Sequence, residues 1–242
     1  MRGEIIIEPA VVSVDPRRHR TLQRCCYTMI WLRCKRQSRP SAQKSFDVGL
    51  PQPLQSQRLC LALEMCMPRY TVYGGSFDPV HCGHMSLVER AAALGYEVIM
   101  VPAFRHAFGK QLAPFEHRIH MCELALQACQ LVEHARVCTI ECSLASASGV
   151  PVYTYDVLCS LRAQLGSDPC LLVGPDIAAE WERWYRHTEI DQEFGRLCLP
   201  LTHMIRSTDI RQRLRAGEAP ASLNDVVPEP VAAYIAAHAL YR

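Results

Sequence analysis

Residues 70–91, YTVYGGSFDPVHCGHMSLVERA, constrain the fold more than any other stretch of this chain. A short apolar run ends at Gly74 and Gly75, a proline and two histidines follow, and an amphipathic stretch opens at Gly83. That order reads as a strand, a tight turn and a helix. Gly74 and Gly75 lack a Cβ, so the backbone can turn sharply there and a bulky polyanion can come close to the main chain. Ser76 adds a hydroxyl and an amide donor, and Pro79 fixes the turn while removing one donor. His81 and His84 stand three apart and can share one side of the helix's first turn, where unsatisfied amides carry partial positive charge. Two neutral imidazole donors at such a place, with no carboxylate competing, form a cradle for phosphate. The same spacing also admits a metal pair, for which no third ligand is evident.

The chain continues in the same rhythm. A helix is expected over 83–94, a strand in EVIMVPA, a helix in FEHRIHMCELALQAC and a third strand in RVCTIE. YTYDVLCSLRAQLG reads as a helix ended by Gly166, CLLVG as a fourth strand and AAEWERWYR as helical. STDIRQRLRAG is expected to be helical with Gly217 at its C-terminal end, and PEPVAAYIAAHALY to be a terminal helix opening at prolines. Strands alternating with helices imply a doubly wound, Rossmann-like α/β fold: a parallel sheet with helices on both faces and C-terminal helices. Ligands in such sheets bind beyond the carboxyl ends of the strands.

This rhythm is absent before residue 67. Residues 1–66 hold 11 Lys+Arg against 5 Asp+Glu, a balance of +6, whereas 67–242 hold 15 against 19, a balance of −4. The first segment mixes basic residues with Ser, Gln and Pro and shows no sustained apolar face. It is expected to be a disordered extension upstream of a natural start at Met67 or Met65, or else a basic targeting arm. Residues 67–242 are expected to form the folded domain. A formal net charge of +2 gives no reason to invoke nucleic acid or a membrane surface. The 13 cysteines include no C-x-x-C pair, so a disulfide framework and a zinc site are not expected, and a reducing cytoplasm is.

The string GGSFDPVHCGH resembles the histidine motif of the nucleotidyltransferase superfamily, and specifically of nicotinate/nicotinamide mononucleotide adenylyltransferases, most of all the bacterial nicotinate-nucleotide type. The resemblance runs from Met67 to Arg242. It implies that Gly74, Gly75, Ser76, Phe77, Gly83, His81 and His84 serve ATP, the two histidines at its phosphates. IRSTDIRQRL is similar to the family's second phosphate signature, with Ser207, Thr208 and Arg211 as its matches and Arg206 in place of its first serine. VPAFRHAFGKQLAPFEHRIHM matches a substrate loop, which implies substrate roles for Lys110 and Arg118. PVYTYDVLCSLR matches a segment that binds the nicotinate part, through Tyr153 and Thr154, with Val152 in place of its serine. In LLVGPDIAAEWERWYR, Asp176 is the match for a ribose- or water-binding carboxylate. Trp184 is the match for the pyridine platform, with Trp181 as platform or core.

Between Tyr185 and Ser207 the chain is shorter than the family pattern, and RLCLPL is read as the vestige of a strand there. The implied reaction moves the adenylyl group of ATP to nicotinate mononucleotide, giving deamido-NAD and pyrophosphate in NAD biosynthesis. The alternatives are nicotinamide mononucleotide as substrate, or a shortened homologue that binds nucleotides without turnover. Transferases that make coenzyme A precursors, CDP-alcohols or FAD share the histidine motif but not the nicotinate-like segments. Mg²⁺ is expected to be held mainly through ATP phosphates, with no metal ligands from the protein. The partners implied are ATP and a pyridine mononucleotide, without nucleic acid or membrane, and a homo-oligomer is compatible with the resemblance.

Overall fold

Apolar residues on strands that are covered from both sides should be continuous, and they are in the two strands that flank the first, Val98–Val101 and Leu171–Val173. The computed structural model of the chain describes residues 69–105, 111–148, 152–201 and 204–242. The expectation for residues 1–66 therefore lies outside the described residues, as does Lys110. Five parallel strands lie in the order β3-β2-β1-β4-β5. They are β1 (Arg69–Gly75), β2 (Tyr96–Pro102), β3 (Ala135–Val137), β4 (Cys170–Val173) and β5 (Arg196–Cys198). Strand β1 runs beside β2 from Arg69↔Tyr96 to Gly75↔Pro102, and beside β4 through Thr71↔Cys170 and Val72↔Leu171. The chain order thus reverses between β1 and β4, the switch point at which open α/β sheets place their ligand crevice.

The helices are α1 (Cys82–Ala93), α2 (Phe115–Ala128), α3 (Ile140–Ser148), α4 (Thr154–Leu165), α5 (Pro175–Ala179), α6 (His187–Glu193), α7 (Ser207–Arg215) and α8 (Glu229–Ala237). Alternate residues of each strand feed two cores. Tyr73, Val98, Met100, Leu172 and Leu197 meet Leu87, Met121, Ile210 and Val231 on the α1, α2, α7 and α8 side. Val72, Ile99, Val101, Leu171 and Val173 meet Ile140, Leu158, Trp181 and Ile190 on the α3, α4 and α6 side. Helices therefore cover both faces, as the alternating pattern requires.

Three local expectations are corrected. RVCTIE is not one strand: β3 stops at Val137, and the chain enters α3 at Ile140, where the Cys142 amide donates to Thr139 O at 3.0 Å and Ile140 is buried in the second core. AAEWERWYR is not one helix. The helix ends at Ala179, and a single 3-10 turn, Trp181–Arg183, follows with Trp181 buried. RLCLPL is more than a vestige, since Arg196–Cys198 form the edge strand β5, paired with β4 through Leu172↔Leu197 and its neighbours. Helix α6, which precedes that strand, was not read from the sequence.

Candidate active site

The turn after β1 is shaped by Phe77. Its ring is buried edge-on against Tyr73 at 5.4 Å and against His84 at 5.0 Å, and its backbone is left-handed (φ 47°). A Cβ on Gly75 would meet that buried ring at 3.1 Å, a tight contact that would press Phe77 against its neighbours. The Phe77 side chain is therefore part of the core, and any role at ATP falls to its backbone. Gly74 is exposed with open space around the position of a Cβ.

His81 caps α1 from an extended backbone and forms a reciprocal pair with His84. The His84 amide donates to His81 Nδ1 at 3.3 Å, and the His81 amide donates to His84 Nδ1 at 3.2 Å. The two rings stack at 3.6 Å with 23° between their planes. Because each Nδ1 accepts a backbone proton, each neutral ring carries its own proton on Nε2. Both imidazoles are thereby Nε2–H donors at the mouth of the sheet. Burial lowers the His81 pKa to about 4, and burial together with His81 holds His84 well below the ordinary range. Gly83, at the second position of α1, sits in the same first turn.

Helix α7 enters from the other side. Ser207 Oγ donates to Pro79 O at 2.9 Å, so this hydroxyl ties α7 to the turn and its proton is committed there. Thr208 is exposed, and its Oγ accepts from Arg211 Nη2 at 3.3 Å. Arg211 is buried, donates through Nη1 to Asp78 O at 2.5 Å and stands 3.6 Å from Asp78 Oδ2. A carboxylate does stand beside the cradle, contrary to the expectation. Asp78 is buried, and its Oδ1 accepts from the Ala113 amide at 3.1 Å and from Tyr241 Oη at 2.8 Å.

Arg118 is not placed on substrate. It is 1% exposed, and its guanidinium donates to Ala113 O at 2.9 Å, Ser76 O at 2.8 Å and Phe104 O at 3.5 Å. Three backbone carbonyls occupy the fork that was expected to hold a ligand. The side chain instead joins Ser76 of the cradle to both stems of the loop that leads from β2 to α2.

Glu141 lies behind Arg118, and burial pushes its pKa up to about 7, against a backbone hydrogen bond from Phe104 and the Arg118 charge. From its ordinary 4.5 up to about 7, the unfolded chain has lost a proton that the folded chain keeps, so this group's contribution falls as pH rises through that window. The histidines act oppositely: below 6.5 the unfolded chain takes protons that folded His81 refuses until about 4. The two slopes oppose one another in weakly acidic solution. Glu141→Gln is expected to stabilise the protein by about 2 kcal/mol at pH 8 and by little near pH 4.5. Urea unfolding across that range measures it, and a pH-independent difference would contradict the assignment.

Beyond β4, a Cβ on Gly174 would lie 2.9 Å from Asp176 Oδ1, so the Asp176 carboxylate hangs close over the backbone there. Asp176 is exposed and close enough that its charge, after burial, contributes to raising the Tyr73 phenol pKa. Tyr153, 39% exposed, precedes Thr154 at the start of α4 and packs on Tyr185 at 4.4 Å. The Tyr153 amide donates to Asp156 Oδ2 at 3.3 Å, which leaves the first-turn amides of Thr154 and Tyr155 as the anion donors of that helix. Trp181 is core: it is buried, and Nε1 donates to Asp191 Oδ2 at 2.9 Å. Trp184 stacks on it at 5.6 Å and is half-buried, while Tyr185 is 54% exposed. Sequence reasoning gave no role to Asp78, Glu141, Tyr185 or Tyr241, although Asp78 lies inside the histidine motif itself.

Residues 72–213 match the family described as Cytidylyltransferase-like. A protein of Anaeromyxobacter dehalogenans named "Probable nicotinate-nucleotide adenylyltransferase" is 38% identical over 185 residues, covering 70% of this chain and 94% of the relative. One of the same name from Myxococcus xanthus is 31% identical, covering 69% and 92%. Among solved structures, one described as "a Putative Nicotinate-nucleotide Adenylyltransferase from Vibrio parahaemolyticus" aligns with a TM-score of 0.62 at 21% identity, covering 73% of this chain and 96% of its own. The Plasmodium falciparum nicotinic acid mononucleotide adenylyltransferase complexed with NaAD aligns at 0.58 and 17%, covering 72% and 97%. A switch-point crevice flanked by paired imidazoles, on a chain this close in sequence over nearly the full length of its relatives, belongs to the cytidylyltransferase-like nucleotidyltransferases, in the branch of the nicotinate-nucleotide adenylyltransferases.

Proposed function

We propose that this chain transfers the adenylyl group of ATP to nicotinate mononucleotide, giving deamido-NAD and pyrophosphate. The observation that carries the reading is the reciprocal capping of His81 and His84, which fixes two neutral Nε2–H donors where β1 meets α1. The names of the relatives supply the substrate class. A phosphate oxygen of the mononucleotide attacks the α-phosphorus in line. The new P–O bond forms as the bond to the bridging oxygen breaks, and pyrophosphate leaves with that electron pair. The attacking group is already an anion, so no protein nucleophile is required. The work of the protein is to position the two nucleotides and stabilise the charge that develops on the phosphates.

In this reading His81 and His84 donate to the triphosphate without changing protonation, and Arg211 supplies a fixed cation. The amides of Gly74, Gly75 and Gly83 and the exposed Thr208 complete the phosphate side. Asp176 accepts from a ribose hydroxyl or a bound water. Tyr153, Trp184 and Tyr185 flank the pyridine ring, and the Thr154 and Tyr155 amides meet its carboxylate. Among the described residues no group of three or more His, Cys, Asp or Glu is placed to hold a metal. Mg²⁺ would be carried mainly by phosphate oxygens and water in this reading, where it would supply charge neutralisation. No helix among the described residues is long and apolar enough to cross a membrane. The cytoplasm is the proposed setting.

Purified chain incubated with ATP, Mg²⁺ and either mononucleotide is expected to form dinucleotide, faster with nicotinate than with nicotinamide. Preference for the amide would reassign the substrate. Absence of product with both, while ATP still binds, would leave a nucleotide-binding protein without turnover.

A further inference from the structure

Asp78 presents an unusual balance. Its Oδ1 takes two hydrogen bonds, from the Ala113 amide and Tyr241 Oη, whereas Oδ2 is a buried oxygen with no hydrogen-bond partner among the described residues. Arg211 Nη1 is only 3.6 Å from that oxygen, yet it bonds to Asp78 O instead. A carboxylate beside a guanidinium ordinarily rotates into a paired, two-bond contact. Here the two donors on Oδ1 oppose that rotation. Tyr241 reaches Asp78 from 163 residues away, in the segment beyond α8, with a left-handed backbone at φ 67° that follows another at Ala239, φ 51°. Non-glycine residues keep such conformations where surrounding contacts over-determine them. Burial and Asp78 push the Tyr241 phenol pKa up, so it remains an O–H donor.

We infer that Tyr241 is a positioning residue for nucleotide binding: by holding Asp78 Oδ1, it keeps the carboxylate from capturing the Arg211 guanidinium and leaves that cation available to an anionic phosphate. The inference rests on the proposed role of Arg211 at the ATP phosphates. Without the hydroxyl, Asp78 turns toward Arg211, the ion pair closes, and the phosphate loses its cation. Ala113 alone, at the end of a loop stem, does not hold the carboxylate as firmly.

The test uses the full chain carrying Tyr241→Phe, which removes one oxygen and keeps the ring that packs against the first core. Affinity for α,β-methylene-ATP is expected to weaken about three- to tenfold, the size of one hydrogen bond lost beside a charge. In turnover the KM for ATP should rise by the same factor while the KM for the mononucleotide stays unchanged. In an Asp78→Asn background the Tyr241→Phe effect should shrink toward none, since a neutral amide forms no ion pair that would neutralise the guanidinium. Equal analogue affinity for wild type and Tyr241→Phe overturns the inference, as does an equal loss for both substrates, which would mark general loosening. A wild type that binds the analogue but forms no dinucleotide overturns the proposed function alone, because the affinity comparison still reads Tyr241.

Discussion

His84→Ala is expected to lower kcat by about 10²–10³-fold, the cost of removing one preorganised donor from developing transition-state charge. The KM for the mononucleotide should change little, because the lost interaction belongs to the triphosphate side. Part of the loss is structural in origin. The substitution removes the acceptor for the His81 amide and frees the stacked His81 ring to rotate. His84→Asn restores both an acceptor and an N–H donor, and should recover a measurable fraction of the rate. Single-turnover measurements separate chemistry from product release. Unchanged kcat in His84→Ala would remove the histidine pair from the mechanism.

Arg118→Met is expected to cost about 3–5 kcal/mol of stability, a large share of what holds a domain of this size together. Methionine approximates the volume of the arginine stem but leaves the carbonyls of Ser76, Phe104 and Ala113 without their buried donor. Arg118→Lys should recover little, since one ammonium cannot reproduce a planar fork that reaches three acceptors. Urea unfolding measures both variants. A loss below about 1 kcal/mol would mean that water replaces the guanidinium and that the three segments are not tied together through it.

These two residues also mark where sequence reasoning held and where it failed. His81 and His84 were legible because their chemistry is local: a strand, two glycines, a proline and an N-terminal helical turn all lie within 15 residues. The doubly wound sheet was legible for the same reason, since each strand and helix announces itself through its own apolar spacing. The burial of Arg118 was not legible, because a fully buried cation on a helix is rare. Its partners come from three separate segments. Asp78 bonds to Arg211 across 133 residues and to Tyr241 across 163, distances that leave no periodic trace. The seven-residue helix α6 was missed because only Ile190 among its residues is buried, too little to form an apolar stripe. Strand β5 was undervalued because its three residues are recognisable only by their pairing with β4.

Among the described residues the sheet ends on each side with a three-residue strand that carries a central or leading arginine. On β3 it is Arg136, paired with Glu97 at 3.4 Å, and on β5 it is Arg196, paired with Asp191. Short, charged borders give an approaching strand almost no ladder to extend and impose a desolvation cost where it would dock. The chain is thereby protected against edge-to-edge aggregation during and after folding, and self-association by sheet extension is disfavoured at both borders.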